Sequence, residues 1–117
     1  MSGRLIAIGT VVGLGVHVML GWTAAVPVVV LCGYVATGRP WLVGLVIVLL
    51  SWSLLVVYNL VFALEPTLEM MRVVGGLIGN LPAYLIAVVT LLTACLLGAA
   101  AGAAGGGIRN IVQRVRR

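Results

Sequence analysis

Few side chains in this sequence of 117 residues could do chemistry, and they stand far apart. His17 is the one histidine, and Glu65 and Glu69 are the only acidic residues. The two cysteines, Cys32 and Cys95, lie in separate apolar runs without a CxxC pair, so we interpret them as small buried apolar residues. Acid–base catalysis needs titratable groups within hydrogen-bond reach, and a metal site needs clustered His, Cys or carboxylate ligands. The spacing offers neither, nor a phosphate-binding glycine loop followed by lysine. We therefore predict a protein that is not an enzyme and that holds no cofactor or metal.

A polar site inside the apolar part of the chain is the remaining chemical possibility. His17 is the one ionisable side chain clearly within an apolar block, and Ser51 and Asn59 are polar residues of another block. An ionisable group inside a membrane is by default a candidate proton relay, ligand or gate. We name these three residues as a possible intramembrane polar site. The alternative is a neutral imidazole hydrogen-bonded between helices, because no acidic partner lies at the depth of His17.

The composition indicates that lipid is the solvent of most of the chain. Hydrophobic residues make up 63% of it, charged residues 8%, and the mean hydropathy is +1.31. A soluble domain carries roughly a quarter charged residues, so this chain could not cover a surface in contact with water. The length leaves room for three or four spans of about 20 residues and for no soluble domain.

The order of apolar blocks predicts an all-α bundle of four transmembrane helices. The blocks cover residues 5–20, 24–37, 41–64 and 81–105. One helix over residues 5–37 would be about 50 Å long, which exceeds a hydrocarbon core of about 30 Å. Gly21 supplies a turn and Pro27 fits near the start of a second helix, so we predict a hairpin of two short helices. Three spans with a long kinked first helix are the alternative. Arg4, the first block and the small residues at 23–25 also imitate a cleavable signal peptide.

The arginines predict the orientation of this bundle. With a hairpin, six of the seven lie on one side, namely Arg4, Arg39, Arg109, Arg114, Arg116 and Arg117. Only Arg72, beside Glu65 and Glu69, lies on the other side. Basic residues at span ends are typical of cytoplasmic loops, so both termini are predicted to be cytoplasmic and no nucleic-acid partner is expected. A three-span chain with its N terminus outside would give a poorer split of five to two.

Small residues at four-residue spacing predict close helix packing. Gly9 and Gly13 form one GxxxG pair, and Gly75 and Gly79 form another. The last block contains a longer ladder, made of Thr90, Ala94, Gly98, Gly102 and Gly106. Small residues let backbones approach closely, which is what holds helices together in lipid. A four-residue step winds around the helix, so the ladder could serve one neighbour inside the chain and one outside it. We predict a homo-oligomer or a complex with other membrane subunits. The alternative is that the ladder packs only the monomer.

Two amphipathic segments complete the prediction. Residues 66–73 resemble a short interfacial helix that begins at Pro66, with Glu69 and Arg72 paired at the surface. Residues 108–117 form a basic amphipathic pattern, set off from the last span by three glycines at 105–107. We predict that this tail lies on the membrane and binds anionic lipid headgroups through Arg109, Arg114, Arg116 and Arg117.

These features favour a non-catalytic structural or assembly subunit of a membrane complex or homo-oligomer. A small pore-forming or transport protein of the holin type is the alternative, and it would require a polar lumen. A hydrophobic pilin-like filament subunit is a further alternative, and it would require export and fewer spans.

Overall fold

The computed structural model describes residues 3–117, and every regular element in this range is an α-helix. Five helices follow one another, which are α1 (Gly3–Leu20), α2 (Trp22–Val35), α3 (Pro40–Phe62), α4 (Leu64–Leu77) and α5 (Ala83–Val115). Helices α1 and α3 run in one direction and α2 and α5 in the opposite one, while α4 joins α3 to α5 and packs against both. One end of the bundle, here named the α4 end, contains Gly21, α4 and the turn that follows it. The other, named the arginine end, contains the start of α1, the α2–α3 loop and the end of α5.

The first two apolar blocks form a hairpin of two separate helices. Gly21 between them has φ of 89°, in the left-handed region that glycine adopts without steric cost. Its amide still donates to the carbonyl of His17 at 2.9 Å, which closes the last turn of α1. The chain then reverses, and α2 packs against α1. A single long kinked helix is therefore not formed. Pro27 lies inside α2, in its second turn, because the helix begins at Trp22 rather than at residue 24.

Helices α3 and α4 follow each other closely, and α4 is longer than the sequence predicts. Pro40 opens α3, where its missing amide hydrogen costs no hydrogen bond, and α3 ends at Phe62. A single residue, Ala63, bends the chain before α4 begins at Leu64. The predicted interfacial helix over 66–73 is thus the middle of α4. This helix buries Met71 and packs against both α3 and α5.

The last helix is continuous, which corrects the prediction for the tail. α5 runs for 33 residues from Ala83 to Val115, or about 50 Å at 1.5 Å per residue. The prediction of a separate helix over 108–117 is wrong, because the three glycines at 105–107 remain helical. Gly105 and Gly106 are buried against α2 and α3, and this packing offsets the cost of about 1 kcal/mol for each glycine in a helix interior.

The core lies where α5 packs along α2 and α3, with α1 on the opposite side of these two helices. Val43 and Ile47 of α3 are its largest fully buried side chains. Around them cluster Val29, Cys32, Ala36, Val48, Ala94 and Ala101. Most members are small, so the helix backbones approach one another closely.

Three of the helices are long and apolar enough to cross a membrane, namely α1, α3 and α5. The apolar helix α2, with 14 residues, is shorter. Large apolar side chains cover the outside of the bundle, and Met19 and Leu77 are each 83% exposed. A soluble monomer rarely exposes extensive contiguous apolar surface. This exposed surface, together with the length and composition of the three helices, indicates a membrane protein.

Candidate functional site

The glycine ladder of α5 makes its contacts inside the chain. A side chain added at Gly98 would lie 2.9 Å from Cα of Leu45, and one at Gly102 would lie 3.0 Å from Cα of Gly44. Gly106 faces the ring of Pro40, whose Cβ would be 3.0 Å away. These glycines therefore seat α5 directly on the backbone of α3. Ala94, one step earlier in the ladder, is fully buried as well.

The second neighbour of the ladder is α2 of the same chain. A Cβ at Gly33 would lie 2.8 Å from Cα of Gly102, so these two backbones touch. Gly105, which the ladder did not include, packs against Val30 and Tyr34 in the same way. Helices α2, α3 and α5 thus meet backbone to backbone. The small residues at 98–106 contact two neighbours that both belong to the same chain, whereas the sequence predicted one neighbour inside the chain and one outside it.

The other predicted glycine pairs have different roles. Gly9 packs against the side chains of Ile47 and Cys32, which joins α1 to α2 and α3, and Gly13 lies beside Ser51. Gly75 faces the carbonyl of Leu81 and accepts a hydrogen bond from its amide at 3.0 Å. The second predicted GxxxG pair does not lie on one helix face, because α4 ends at Leu77 and Gly79 lies beyond it. A Cβ at Gly79 would meet no atom within 4 Å. Gly79 has φ of 113° and forms the turn between α4 and α5, together with Asn80 at φ of 60°.

A second small-residue face of α5 is exposed. It lies opposite the buried ladder and consists of Ala100, Ala103, Ala104 and Gly107. A Cβ at Gly107 would meet no atom within 4 Å. The sequence did not identify this face, because all residues from 99 to 107 are alanine or glycine. Helical periodicity therefore cannot distinguish a buried side from an exposed side in this stretch.

Two of the three predicted polar residues line one cavity near the α4 end. The cavity has a volume of about 370 Å³, and its wall includes residues of all five helices. His17 and Asn59 both contribute to its wall. Thr67 of α4 and Thr90 of α5 add hydroxyl groups. The rest of the wall is apolar and includes Trp22, Trp52, Leu55, Val56, Met70, Met71 and Ile86.

The third predicted polar residue, Ser51, lies apart from this cavity. It is buried and donates to the carbonyl of Ile47 at 2.8 Å, with the carbonyl of Thr10 at 3.5 Å. It lines a smaller cavity of about 20 Å³, which also has His17 and Trp52 in its wall. That volume is enough for one water molecule. Over residues 3–117, the hydroxyl of Thr10 is the one buried side-chain polar atom without a hydrogen-bond partner.

The charged groups stay at the two ends of the bundle. At the α4 end, Arg72 donates to Glu69 at 2.7 Å, and both side chains are largely exposed, so this pair contributes little to stability. At the arginine end, Arg109 donates to the carbonyl of Ala36, which joins α5 to the end of α2. The predicted headgroup ligands Arg114, Arg116 and Arg117 are exposed beyond this contact.

Residues 3–117 contain no group of three or more His, Cys, Asp or Glu side chains that could hold a metal ion. No family model, curated protein or solved structure matches the chain. Two features of the described structure are candidates for a function, namely the exposed small-residue face of α5 and the cavity near the α4 end.

Proposed function

We propose that this protein is a non-catalytic structural subunit of the membrane, which associates with a second copy of itself through the exposed face of α5. The observation that carries the proposal is the position of Ala100, Ala103, Ala104 and Gly107 on the side of α5 turned away from α2 and α3. The face is flanked by exposed leucines toward the α4 end, such as Leu96, and by Ile111 toward the arginine end.

The physical reason is that lipid and leucine are equally apolar, so burying leucine between helices gives no hydrophobic gain. Helices in a membrane associate where small side chains let their backbones approach and gain dispersion contacts. α5 already uses one such face inside the monomer. The exposed face has the same chemistry and lies against nothing in the chain.

A second copy is the partner that needs the fewest assumptions. A symmetric pair brings the same helix face of each copy together, so one small-residue face supplies both halves of the interface. The two arginine ends would then lie side by side. Anionic lipid headgroups would offset the repulsion between them, with each arginine near the surface contributing about 1 kcal/mol.

The proposed topology has four spans, with both termini and the α2–α3 loop in the cytoplasm. It rests on the six-to-one division of the arginines between the arginine end and the α4 end. It requires α2, of 14 residues, to reach across only part of the bilayer, about 21 Å at 1.5 Å per residue. Local thinning of the bilayer or a re-entrant position of the hairpin tip would accommodate this length.

The test compares substitutions on the exposed face with one outside it. Ala103→Ile fills the small-residue face without touching α2 or α3, and should lower the native mass in mild detergent from that of an oligomer to that of a monomer. Leu92→Ile, on the same side of α5 but away from the small residues, should leave the native mass unchanged. A wild-type protein that is already monomeric, or an Ala103→Ile variant with unchanged mass, would remove the proposal. Co-purification of a different chain in place of a second copy would replace the homo-oligomer with a mixed complex.

A further inference from the structure

The cavity near the α4 end exists because the α1–α2 hairpin is shorter than the helices beside it. Gly33 of α2 touches Gly102 of α5, and both helices run from the α4 end to the arginine end. Trp22 lies 11 residues before Gly33, whereas Ala83 lies 19 residues before Gly102. At 1.5 Å per residue, α5 extends about 12 Å farther than the hairpin. Helix α4 packs against α3 and α5 at this end, and its residues Thr67, Met70 and Met71 line the space beyond the hairpin tip.

The wall of this space combines apolar surface with hydrogen-bonding groups and has no formal charge. Its volume of about 370 Å³ lies within the range of pockets that hold drug-sized molecules. No arginine, aspartate or glutamate is among the described residues that line it. A charged ligand would therefore lack a counter-ion there, and desolvation would oppose its binding.

Two polar side chains of the wall are free to bind a ligand. The hydroxyl of Thr90 donates to the carbonyl of Ile86 at 2.8 Å, and that of Thr67 to the carbonyl of Asn59 at 3.3 Å. Among residues 3–117, the imidazole of His17 and the side-chain amide of Asn59 form no hydrogen bond to protein. Each can donate to an oxygen atom of a bound molecule.

The apolar part of the wall favours a flat aromatic ring. Trp22 and Trp52 present indole rings, and the ring of His17 meets that of Trp52 edge to face at 5.9 Å between centroids. Met70 and Met71 of α4 add thioethers, which contact aromatic rings favourably and adapt to irregular shapes. Aromatic rings pack well in edge-to-face and offset arrangements of this kind.

We infer that this cavity binds an uncharged aromatic molecule that carries carbonyl oxygens, of the chemical class of quinones. The ring lies among Trp22, Trp52 and the two methionines, and the carbonyl oxygens accept hydrogen bonds from His17 and Asn59. The cavity is open at its rim, where Trp22, Asn59 and Met70 are exposed, so a ligand dissolved in the membrane could enter sideways. The inference uses only residues of one chain and is independent of the proposed oligomer.

The first experiment measures binding to the whole protein in nanodiscs of zwitterionic lipid. Radiolabelled 2-methyl-1,4-naphthoquinone should bind saturably, above its partition into empty nanodiscs. Unlabelled 2-methylnaphthalene, which has the same rings without oxygens, should compete at least tenfold more weakly than the unlabelled quinone. Equal competition by the two molecules would overturn the inference and would leave a cavity that accepts any apolar molecule, such as a lipid chain.

Single substitutions then test which residues of the cavity wall bind the quinone. His17→Phe keeps a ring against Trp52 and Asn59→Leu keeps the approximate volume, and each should weaken quinone binding about threefold to tenfold through the loss of one hydrogen bond. Thr90→Trp fills the cavity and should abolish saturable binding. The matched control is Thr93→Trp, because Thr93 is exposed on α5, outside the cavity, and its hydroxyl also bonds only within the helix. Unchanged affinity in the first two variants, or equal effects of the two tryptophan substitutions, would show that the quinone does not bind here. Far-UV circular dichroism would confirm that each variant is folded.

Discussion

Adding one methyl group at Gly102 should disrupt the packing of α5 on α3, whereas the same change five residues later should not. A Cβ at Gly102 would lie 3.0 Å from both Cα and N of Gly44, and closer still to the carbonyl oxygen of Pro40. All of these are backbone atoms, so no side chain can rotate away. At Gly107, on the exposed face of the same helix, a Cβ would meet nothing within 4 Å.

The size of the effect follows from these distances. Carbon atoms pack best at about 3.5–4.0 Å, so Gly102→Ala forces α5 and α3 apart by about 0.5–1 Å, which forfeits a quarter to a half of the dispersion energy of nearby contacts. Overpacking of this kind costs about 1–3 kcal/mol, and an obstacle made of backbone favours the upper end. The gain in helix propensity from glycine to alanine, about 1 kcal/mol, is common to Gly102→Ala and Gly107→Ala. The free energies of unfolding of the two variants should therefore differ by about 3 kcal/mol.

The assay is reversible unfolding in mixed micelles with increasing SDS, followed by tryptophan fluorescence and far-UV circular dichroism. Gly102→Ala should unfold at a lower SDS fraction than the wild type, and Gly107→Ala at an equal or higher one. Free energies that agree within about 0.5 kcal/mol would refute the backbone contact between α5 and α3. Native mass should be measured in parallel, because the contacts of Gly102 lie within the monomer and its substitution should lower stability whether or not the protein forms an oligomer.

Three further predictions concern topology, the tail and the histidine. Cysteines introduced at Arg39 and Arg117, in a background lacking the native cysteines, should react with a membrane-impermeant reagent from the same side; reaction from opposite sides would exclude four spans. Spin labels at Leu92 and Val112 should lie about 30 Å apart, since 20 residues of continuous helix separate them, whereas a right-angle bend at the glycines would shorten the distance to about 23 Å. His17→Leu should leave insertion and native mass nearly unchanged, because the imidazole forms no hydrogen bond within residues 3–117 and the substitution removes only its edge-to-face contact with Trp52; failure to assemble would give His17 a structural role.

The sequence by itself indicated lipid as the solvent and predicted the helical class of this protein. With 8% charged residues, the chain has too few to cover a surface in contact with water, and apolar blocks of these lengths fit helices, which satisfy their backbone hydrogen bonds within one segment. The helix break at Gly21 was also predictable from length, because one helix over 5–37 would exceed the bilayer. Composition and segment length are local properties of the sequence, so these predictions do not depend on which residues are in contact in the folded chain.

The tertiary structure decided which small residues pack where. Between 99 and 107 every residue is alanine or glycine, so helix periodicity has no contrast to read and could not separate the buried Gly102 and Gly105 from the exposed Ala103 and Gly107. The same packing kept α5 helical through its three glycines, where local propensity alone predicts a break. For Gly79 the GxxxG spacing was misleading, because this residue lies in a turn and adopts φ of 113°, which favours glycine.

The cavity likewise depends on tertiary structure. His17 and Asn59 are 42 positions apart, and nothing in their spacing predicts that they line one space. They line one cavity because the hairpin is about 12 Å shorter than α5 beside it and because α4 supplies another part of the wall beyond the hairpin tip. The approximate lengths of α1 and α2 were predictable from their apolar blocks, but the position at which Gly33 packs against Gly102 was set by tertiary packing. That contact decides where the hairpin ends and therefore which side chains surround the space above it.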